Sequence, residues 1–160
     1  MTSAVQISQY IYNKKYGGGN PLLNRLLYMC FGLYGAVYKE YLFCDKIEAW
    51  TYGPVIEEVH TLYDKDFFKE NHPYSLSPRV ERIADTAIST YMSSKMILDE
   101  IVGQNLNPYN KHYQRGVAHI EIPKDEIIAY YEKYLKVIND VNKVINDEMY
   151  RNAVILLSEL

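Results

Sequence analysis

Apolar side chains recur at helical spacing between Leu22 and Val37, and this stripe constrains the fold more than any other feature of the chain. Its members are Leu22, Leu23, Leu26, Leu27, Cys30, Leu33, Tyr34 and Val37. Asn20 and Pro21 precede the stripe as an N-cap and a first helical position, where the missing N–H of proline costs nothing. Glycines at 17–19 separate it from the preceding sequence. We therefore predict a long helix in the core of the fold.

Proline and glycine divide the rest of the chain into further elements. Ser3 is a good N-cap for a first helix that runs to about Tyr16. Pro54 follows Gly53 and predicts the first position of another helix. The remaining predicted elements are strands over about 41–50 and 117–122, loops over 71–78 and 105–108, helices over 79–92 and 93–103, and a long last helix from Pro123.

These elements predict an α+β, helix-dominated single domain over residues 1–160. Its small β-ribbon, formed by about 41–50 and 117–122, is expected to pack on five or six helices. A length of 160 residues fits one ordinary domain. Hydrophobic residues make up 48% of the sequence, which is enough for a sizeable core.

Charge and apolar runs restrict the partners and the location of the chain. The formal net charge is -3 and the pI about 5.8, so we expect no direct binding to nucleic acid, which requires a basic surface. No apolar run approaches the roughly 20 residues of a membrane helix, and the first residues lack the pattern of a secretory signal. Cys30 and Cys44 form no CxxC pair and are interpreted as reduced thiols. A cytoplasmic location is expected.

Signatures of catalysis are missing from the sequence. The four histidines, His60, His72, His112 and His119, do not stand in HExxH or another metal-ligand spacing. His119 and Glu121 share one face of the predicted second strand, which would place a base beside a carboxylate, but a polar ribbon face is the favoured interpretation. We therefore predict a protein that is not an enzyme, with no catalytic residue, no cofactor and no metal.

Two stretches carry a resemblance to a known family. The run 22–28 reads LLNRLLY, and the run 47–55 reads IEAWTYGPV with Leu42-Phe43 ahead of it. Together they resemble the Panacea family, also called the SocA-like antitoxin domain, over roughly residues 4–115. A later segment, from Ser94 to Tyr109, is similar to the family's second motif, although Gly103 replaces a usual histidine and Tyr109 a usual tryptophan. The family motif residues carried over are Glu48, Ala49, Trp50, Tyr52, Gly53, Pro54 and Val55.

The resemblance implies an antitoxin, often phage or prophage associated. Such a protein neutralises a cognate protein toxin by direct binding, and the toxin is usually encoded by a neighbouring gene. One branch of the family implies an alternative, an adaptor that presents its toxin to an ATP-dependent protease. A second alternative is an enzyme or phage regulator of unknown substrate. The expected partners are therefore a protein toxin and, for the adaptor, a protease.

Four residues are predicted to bind the partner: Tyr52, Glu57, His60 and Tyr109. Glu57 and His60 share a helix face because they lie three residues apart, and Tyr52 directly precedes that helix. Aromatic side chains offer large contact area with few rotamers to fix. A structural alternative makes the Trp50–Tyr52 corner a joint between ribbon and helix, and Glu48 a salt-bridge or capping group. The loop 71–78 and the last helix are alternative interfaces.

The 17 tyrosines exceed what a core of this size needs, because each buried hydroxyl requires a partner. Those predicted to reach the surface are Tyr12, Tyr16, Tyr38, Tyr41, Tyr109 and Tyr113.

Overall fold

The computed structural model describes residues 2–93, 107–140, 155, 156 and 159. These residues contain several helices and one small hairpin. The helices are α1 (Ala4–Asn13), α2 (Asn20–Tyr38), α3 (Glu57–Asp64), α4 (Pro78–Ser93), α5 (Pro108–His112) and α6 (Lys124–Asp140), with a 3-10 turn at Phe67–Glu70. The strands are β1 (Glu48–Trp50) and β2 (Gly53–Val55). The predicted α+β, helix-dominated class is confirmed.

Helix α2 is the centre of the core. Of its 19 residues 14 are buried, so the helix is enclosed on most sides rather than along one stripe. It contacts α1, α3, α4, α6 and β2. Gly32 and Gly35 let α6 approach closely: a Cβ at Gly32 would lie 1.9 Å from a ring carbon of Tyr131, and one at Gly35 2.3 Å from Ile128. The predicted core helix is confirmed.

The first two helices begin close to where the sequence places them. Ser3 is the N-cap of α1, and its hydroxyl accepts a hydrogen bond from the Gln6 amide at 3.2 Å. The helix ends at Asn13 rather than near Tyr16. The N-cap of α2 is Gly19, so Asn20 is already helical. The Asn20 side chain instead bonds to α3.

The predicted pairing of about 41–50 with 117–122 is present only as one bridge, and the regular strand pairing lies within a hairpin. Strand β1 pairs antiparallel with β2, across a two-residue turn at Thr51 and Tyr52. The chain reverses there because Gly53 has φ +132°, a conformation that L side chains rarely adopt. Residues 41–47 form bends instead of strand. Residues 117–122 lie along the other edge of β1 and form a single bridge, between Glu121 and Glu48.

Pro54 is therefore a strand residue and not the first position of a helix. It lies opposite Ala49, whose N–H donates away from β2 to the Ile120 carbonyl at 2.9 Å. The Ala49–Pro54 pair is thus not hydrogen-bonded within the hairpin, and the missing N–H of proline removes no ladder bond. Helix α3 begins at Glu57, with Ile56 as its N-cap.

Other predicted elements agree with the structure or lie outside it. Residues 71–77 contain no helix or strand, as predicted for the loop over 71–78, and α4 and α6 begin within one residue of the predicted starts. The predicted helix over 93–103 falls outside the described residues from 94 onward, as does the last helix beyond Asp140. Among the helices described, each is too short or too polar to cross a lipid bilayer.

Candidate functional site

The turn of the hairpin is fixed from two sides. On one side, the Arg25 guanidinium of α2 donates to the Tyr52 carbonyl at 2.8 Å. On the other, the Tyr109 hydroxyl of α5 donates to the Trp50 carbonyl and lies 3.3 Å from the Thr51 carbonyl. Tyr113 stacks on Tyr109 with ring centroids 5.6 Å apart. These contacts therefore fix the backbone of the turn that carries the Tyr52 side chain.

A cleft of about 450 Å³ opens beside this hairpin. One wall is the hairpin itself, the second is the start of α3, and the third is the irregular segment that follows α5. The cleft is lined by Pro21, Ala49, Trp50, Thr51, Tyr52, Pro54, Val55, His60, Tyr113, Gly116, Val117, Ala118 and His119. Most of these side chains are apolar, so the cleft suits an apolar side chain of a ligand or partner.

Two exposed apolar side chains stand on the rim of the cleft. Tyr52 is 76% exposed and Val117 is 48% exposed. Trp50, which also lines the cleft, is half-buried, with its ring 4.9 Å from that of His60. An exposed aromatic side chain on a fixed turn offers contact area with little conformational entropy to lose. The rim therefore has the character of a binding surface.

One end of the cleft carries a cluster of two carboxylates and one imidazole. His119 Nδ1 lies 3.2 Å from Glu48 Oε2 and 3.8 Å from Glu57 Oε2. The Glu48 side chain is only 8% exposed, whereas those of Glu57 and His119 are 58% and 62% exposed. Trp50 Nε1 donates to Glu48 Oε1 at 3.0 Å, which orients the buried carboxylate. We call Glu48, Glu57 and His119 the carboxylate–imidazole cluster.

A pair of buried asparagines positions α3 against the cleft. Asn24 Oδ1 accepts from the Ile56 amide at 2.9 Å, and its Nδ2 donates to Asn20 Oδ1 at 2.8 Å. Asn20 Nδ2 in turn donates to the His60 carbonyl and to Asp64, each at 3.0 Å. These bonds join the N-terminal turns of α2 to both ends of α3. They hold the His60 ring in the cleft wall.

The structure brings three of the four predicted partner-binding residues to one surface. Tyr52 and His60 line the cleft, and Glu57 belongs to the cluster at its end. Tyr109 does not reach this surface, because it is only 3% exposed. Burial is also the main cause that raises the pKa of the Tyr109 phenol, which keeps its hydroxyl a donor to the hairpin turn. Tyr109 therefore stabilises the hairpin turn from its buried side and does not contact a partner.

The seven residues singled out in the run 48–55 form most of one wall of the cleft. Of these seven residues, five line the cleft: Ala49, Trp50, Tyr52, Pro54 and Val55. Glu48 lies behind the wall in the cluster, and Gly53 faces Arg25. The structural alternative for Trp50 and Glu48 also has support, since the two side chains are hydrogen-bonded to each other.

Sequence reasoning missed that residues 113–119 line the cleft. The strand predicted over 117–122 does lie along β1, but no sequence pattern indicated that Tyr113, Gly116 and Val117 form a third wall beside the hairpin. The predicted placement of His119 and Glu121 on one face of a strand is also not found. His119 has φ +59°, which breaks strand alternation, and its ring pairs with Glu48, 71 residues away. No local spacing signals such a contact.

Two predicted surface tyrosines, Tyr16 and Tyr109, are instead buried. Tyr16 is 4% exposed and its hydroxyl donates to the Gly19 carbonyl at 3.0 Å. Each buried hydroxyl thus has a backbone acceptor, which removes the reason for expecting it at the surface.

Comparison of the chain with protein families, curated proteins and solved structures finds no match.

Proposed function

We propose that this chain is an antitoxin that binds a cognate protein toxin directly through the cleft beside the hairpin. The observation that carries the proposal is the position of Tyr52, which is 76% exposed on the rim of an otherwise apolar cleft. The motif that resembles the Panacea family contributes five of the residues lining that cleft. Of these five, Tyr52 is exposed and Trp50 half-buried, and aromatic side chains in such positions are most simply explained by contact with a partner.

The chemistry of the cleft supports a partner segment of a particular kind. Its apolar walls suit an aliphatic or aromatic side chain, which would be desolvated between Trp50 and Val117. The polar cluster of Glu48, Glu57 and His119 lies at one end of the cleft, next to the place of that apolar residue. The formal charge of -3 adds a modest long-range attraction for a basic toxin.

This role is one of binding rather than catalysis, and the cytoplasm is the proposed location. Cys30 and Cys44 are both present as thiols, as is typical of proteins in a reducing compartment. The toxin is proposed to be the product of a neighbouring gene, as the family resemblance implies.

A growth assay tests this function. The neighbouring open reading frame is expressed under an inducible promoter, with and without this chain. We expect the neighbour to stop growth and this chain to restore it, equally in a strain that lacks the cytosolic ATP-dependent proteases. Rescue that disappears in the protease-deficient strain supports the adaptor alternative instead.

The residues of the cleft are tested in the same assay. Tyr52→Ala is expected to lose rescue, because it removes the exposed aromatic ring. Met92→Ala is the matched control, since Met92 is a 64% exposed apolar side chain that does not line the cleft. A neighbour that is not toxic, or rescue by both variants alike, contradicts the proposal.

A further inference from the structure

The carboxylate–imidazole cluster has a charge that its own side chains do not balance. Glu48 and Glu57 contribute two negative charges, and His119 offers at most one positive charge when protonated. Glu48 is the most buried member, with a side chain only 8% exposed, and its carboxylate contacts the Trp50 indole and the His119 ring. A further cation would complete the balance.

The positions of the three side chains fit the ligands of a metal ion. One ligand atom from each residue lies within 4.8 Å of the other two. The distances from His119 Nδ1 are 3.2 Å to Glu48 Oε2 and 3.8 Å to Glu57 Oε2. Ligand atoms around a tetrahedral ion with bonds of about 2.0–2.1 Å are roughly 3.3 Å apart. Only small side-chain movements would bring the three atoms to that spacing, and two of the side chains are more than half exposed.

The surroundings of Glu48 are those of an oriented ligand. Trp50 Nε1 donates to Glu48 Oε1 at 3.0 Å, and His119 Nδ1 lies 3.2 Å from Oε2 and 3.3 Å from Oε1. The hydrogen bond from the indole fixes the carboxylate, as outer partners of metal ligands commonly do. His119 also lines the cleft, so a coordination position beyond the three protein ligands would open toward it.

We propose that Glu48, Glu57 and His119 bind one divalent transition-metal ion, with Zn²⁺ as the best candidate. A set of one imidazole nitrogen and two carboxylate oxygens suits Zn²⁺ and its neighbours, whereas Mg²⁺ and Ca²⁺ prefer oxygen ligands alone. Three protein ligands with an open position toward the cleft leave room for a water or for a side chain of a partner. This inference does not depend on the proposed antitoxin function.

The test is calorimetric titration of the full chain with Zn²⁺, with Co²⁺ absorption as a report on coordination geometry. We expect one Zn²⁺ per chain. We also expect bound Co²⁺ to show absorption bands in the visible range that indicate a low coordination number. Glu57→Gln and His119→Asn should each weaken Zn²⁺ binding at least about tenfold, the least that even an outer-shell change at a metal site commonly costs. Asparagine is chosen because it tolerates the left-handed conformation of His119. Both residues are exposed, so neither change removes core packing.

Two other histidines serve as matched controls. His112 pairs with Glu126, whose carboxylate is already bonded to Lys111 at 3.1 Å, and His72 pairs with Glu70 at 3.0 Å. His112→Gln and His72→Gln should leave Zn²⁺ binding unchanged. The proposal is overturned if the chain binds no Zn²⁺, or if Glu57→Gln and His119→Asn bind it as the unsubstituted chain does. Metal binding is measured without any partner, so its failure leaves the antitoxin proposal standing.

Discussion

The Tyr109 hydroxyl donates a hydrogen bond to the backbone carbonyl of Trp50, across 59 residues of sequence. This bond joins the short helix α5 to the turn that presents Tyr52. Tyr109 is buried and Tyr52 is exposed, so the two tyrosines have different roles at the site. The first fixes the turn, and the second stands where a partner can contact it.

Tyr109→Phe is expected to lower the free energy of unfolding by roughly 1–3 kcal/mol, because two turn carbonyls lose their donor in a largely buried place. Urea denaturation measures the change. Tyr113→Phe is the control: its hydroxyl lies 3.5 Å from Thr51 Oγ1 at the surface, so its effect should stay within about 0.5 kcal/mol. Equal effects of the two substitutions would contradict the supporting role of Tyr109.

The buried Asn24 gives a second prediction. Asn24→Leu keeps the volume but leaves the Ile56 amide without its acceptor and Asn20 Oδ1 without this donor. With roughly 1–3 kcal/mol for each buried group left unpaired, we expect a loss of about 3 kcal/mol, measured by urea denaturation. Tyr41→Phe, which removes an exposed hydrogen bond to Asp125, should change stability by less than about 0.5 kcal/mol. A nearly neutral Asn24→Leu would show that the amide pair does not hold α3.

The helices were predictable because their signals are local. The apolar spacing between Leu23 and Val37 and the cap at Ser3 are both set within a few residues, and both are found in the structure. The role of Pro54 was predicted wrongly. A proline at the first position of a helix cannot be distinguished by sequence from a proline at a strand position that makes no hydrogen bond. Only the contact of Ala49 with Ile120, 71 residues away, decides between them.

The two cysteines should differ in reactivity. Cys30 is fully buried in α2, and burial raises the pKa of its thiol well above the usual value, so little thiolate exists to react. Cys44 is exposed. We expect a thiol reagent to modify one cysteine in the folded chain and two in denaturant, and Cys44→Ser to abolish the reaction of the folded chain. Rapid modification of Cys30 in the folded state would contradict the packing of α2.

Acid stability should depend on Glu126. Its hydrogen bond to His112, and then that to Lys111, lower the pKa of the Glu126 carboxyl in the folded state. A lowered folded pKa gives stability that is present above the unfolded value of about 4.3 and is lost as pH falls through the folded pKa. The melting temperature of the unsubstituted chain should therefore exceed that of Glu126→Gln at about pH 6, and this gap should shrink by about pH 3. A gap that is the same at both pH values would exclude this linkage.

The candidate site was predictable only in part. The predicted helix after the motif run placed Tyr52, Glu57 and His60 near one another, and the structure brings all three to the cleft or its end. The third wall and the partner of the buried Glu48 were not predictable, since they depend on how residues 113–119 return to the hairpin. Tyr109 was predicted to lie at the surface. This prediction was wrong because the position of a residue in a sequence motif does not indicate whether its side chain is buried.

The central claim is that the cleft is the partner-binding surface, and the affinity of the purified chain for the product of the neighbouring gene tests it most directly. Tyr52→Ala, Glu57→Ala and His60→Ala are compared with Met92→Ala by calorimetry, after their melting temperatures show that each is folded. We expect at least two of the three cleft variants to weaken binding by about fivefold or more, which corresponds to roughly 1 kcal/mol, and Met92→Ala to bind normally. If all three cleft variants bind as tightly as the unsubstituted chain, the partner binds elsewhere and the account is wrong.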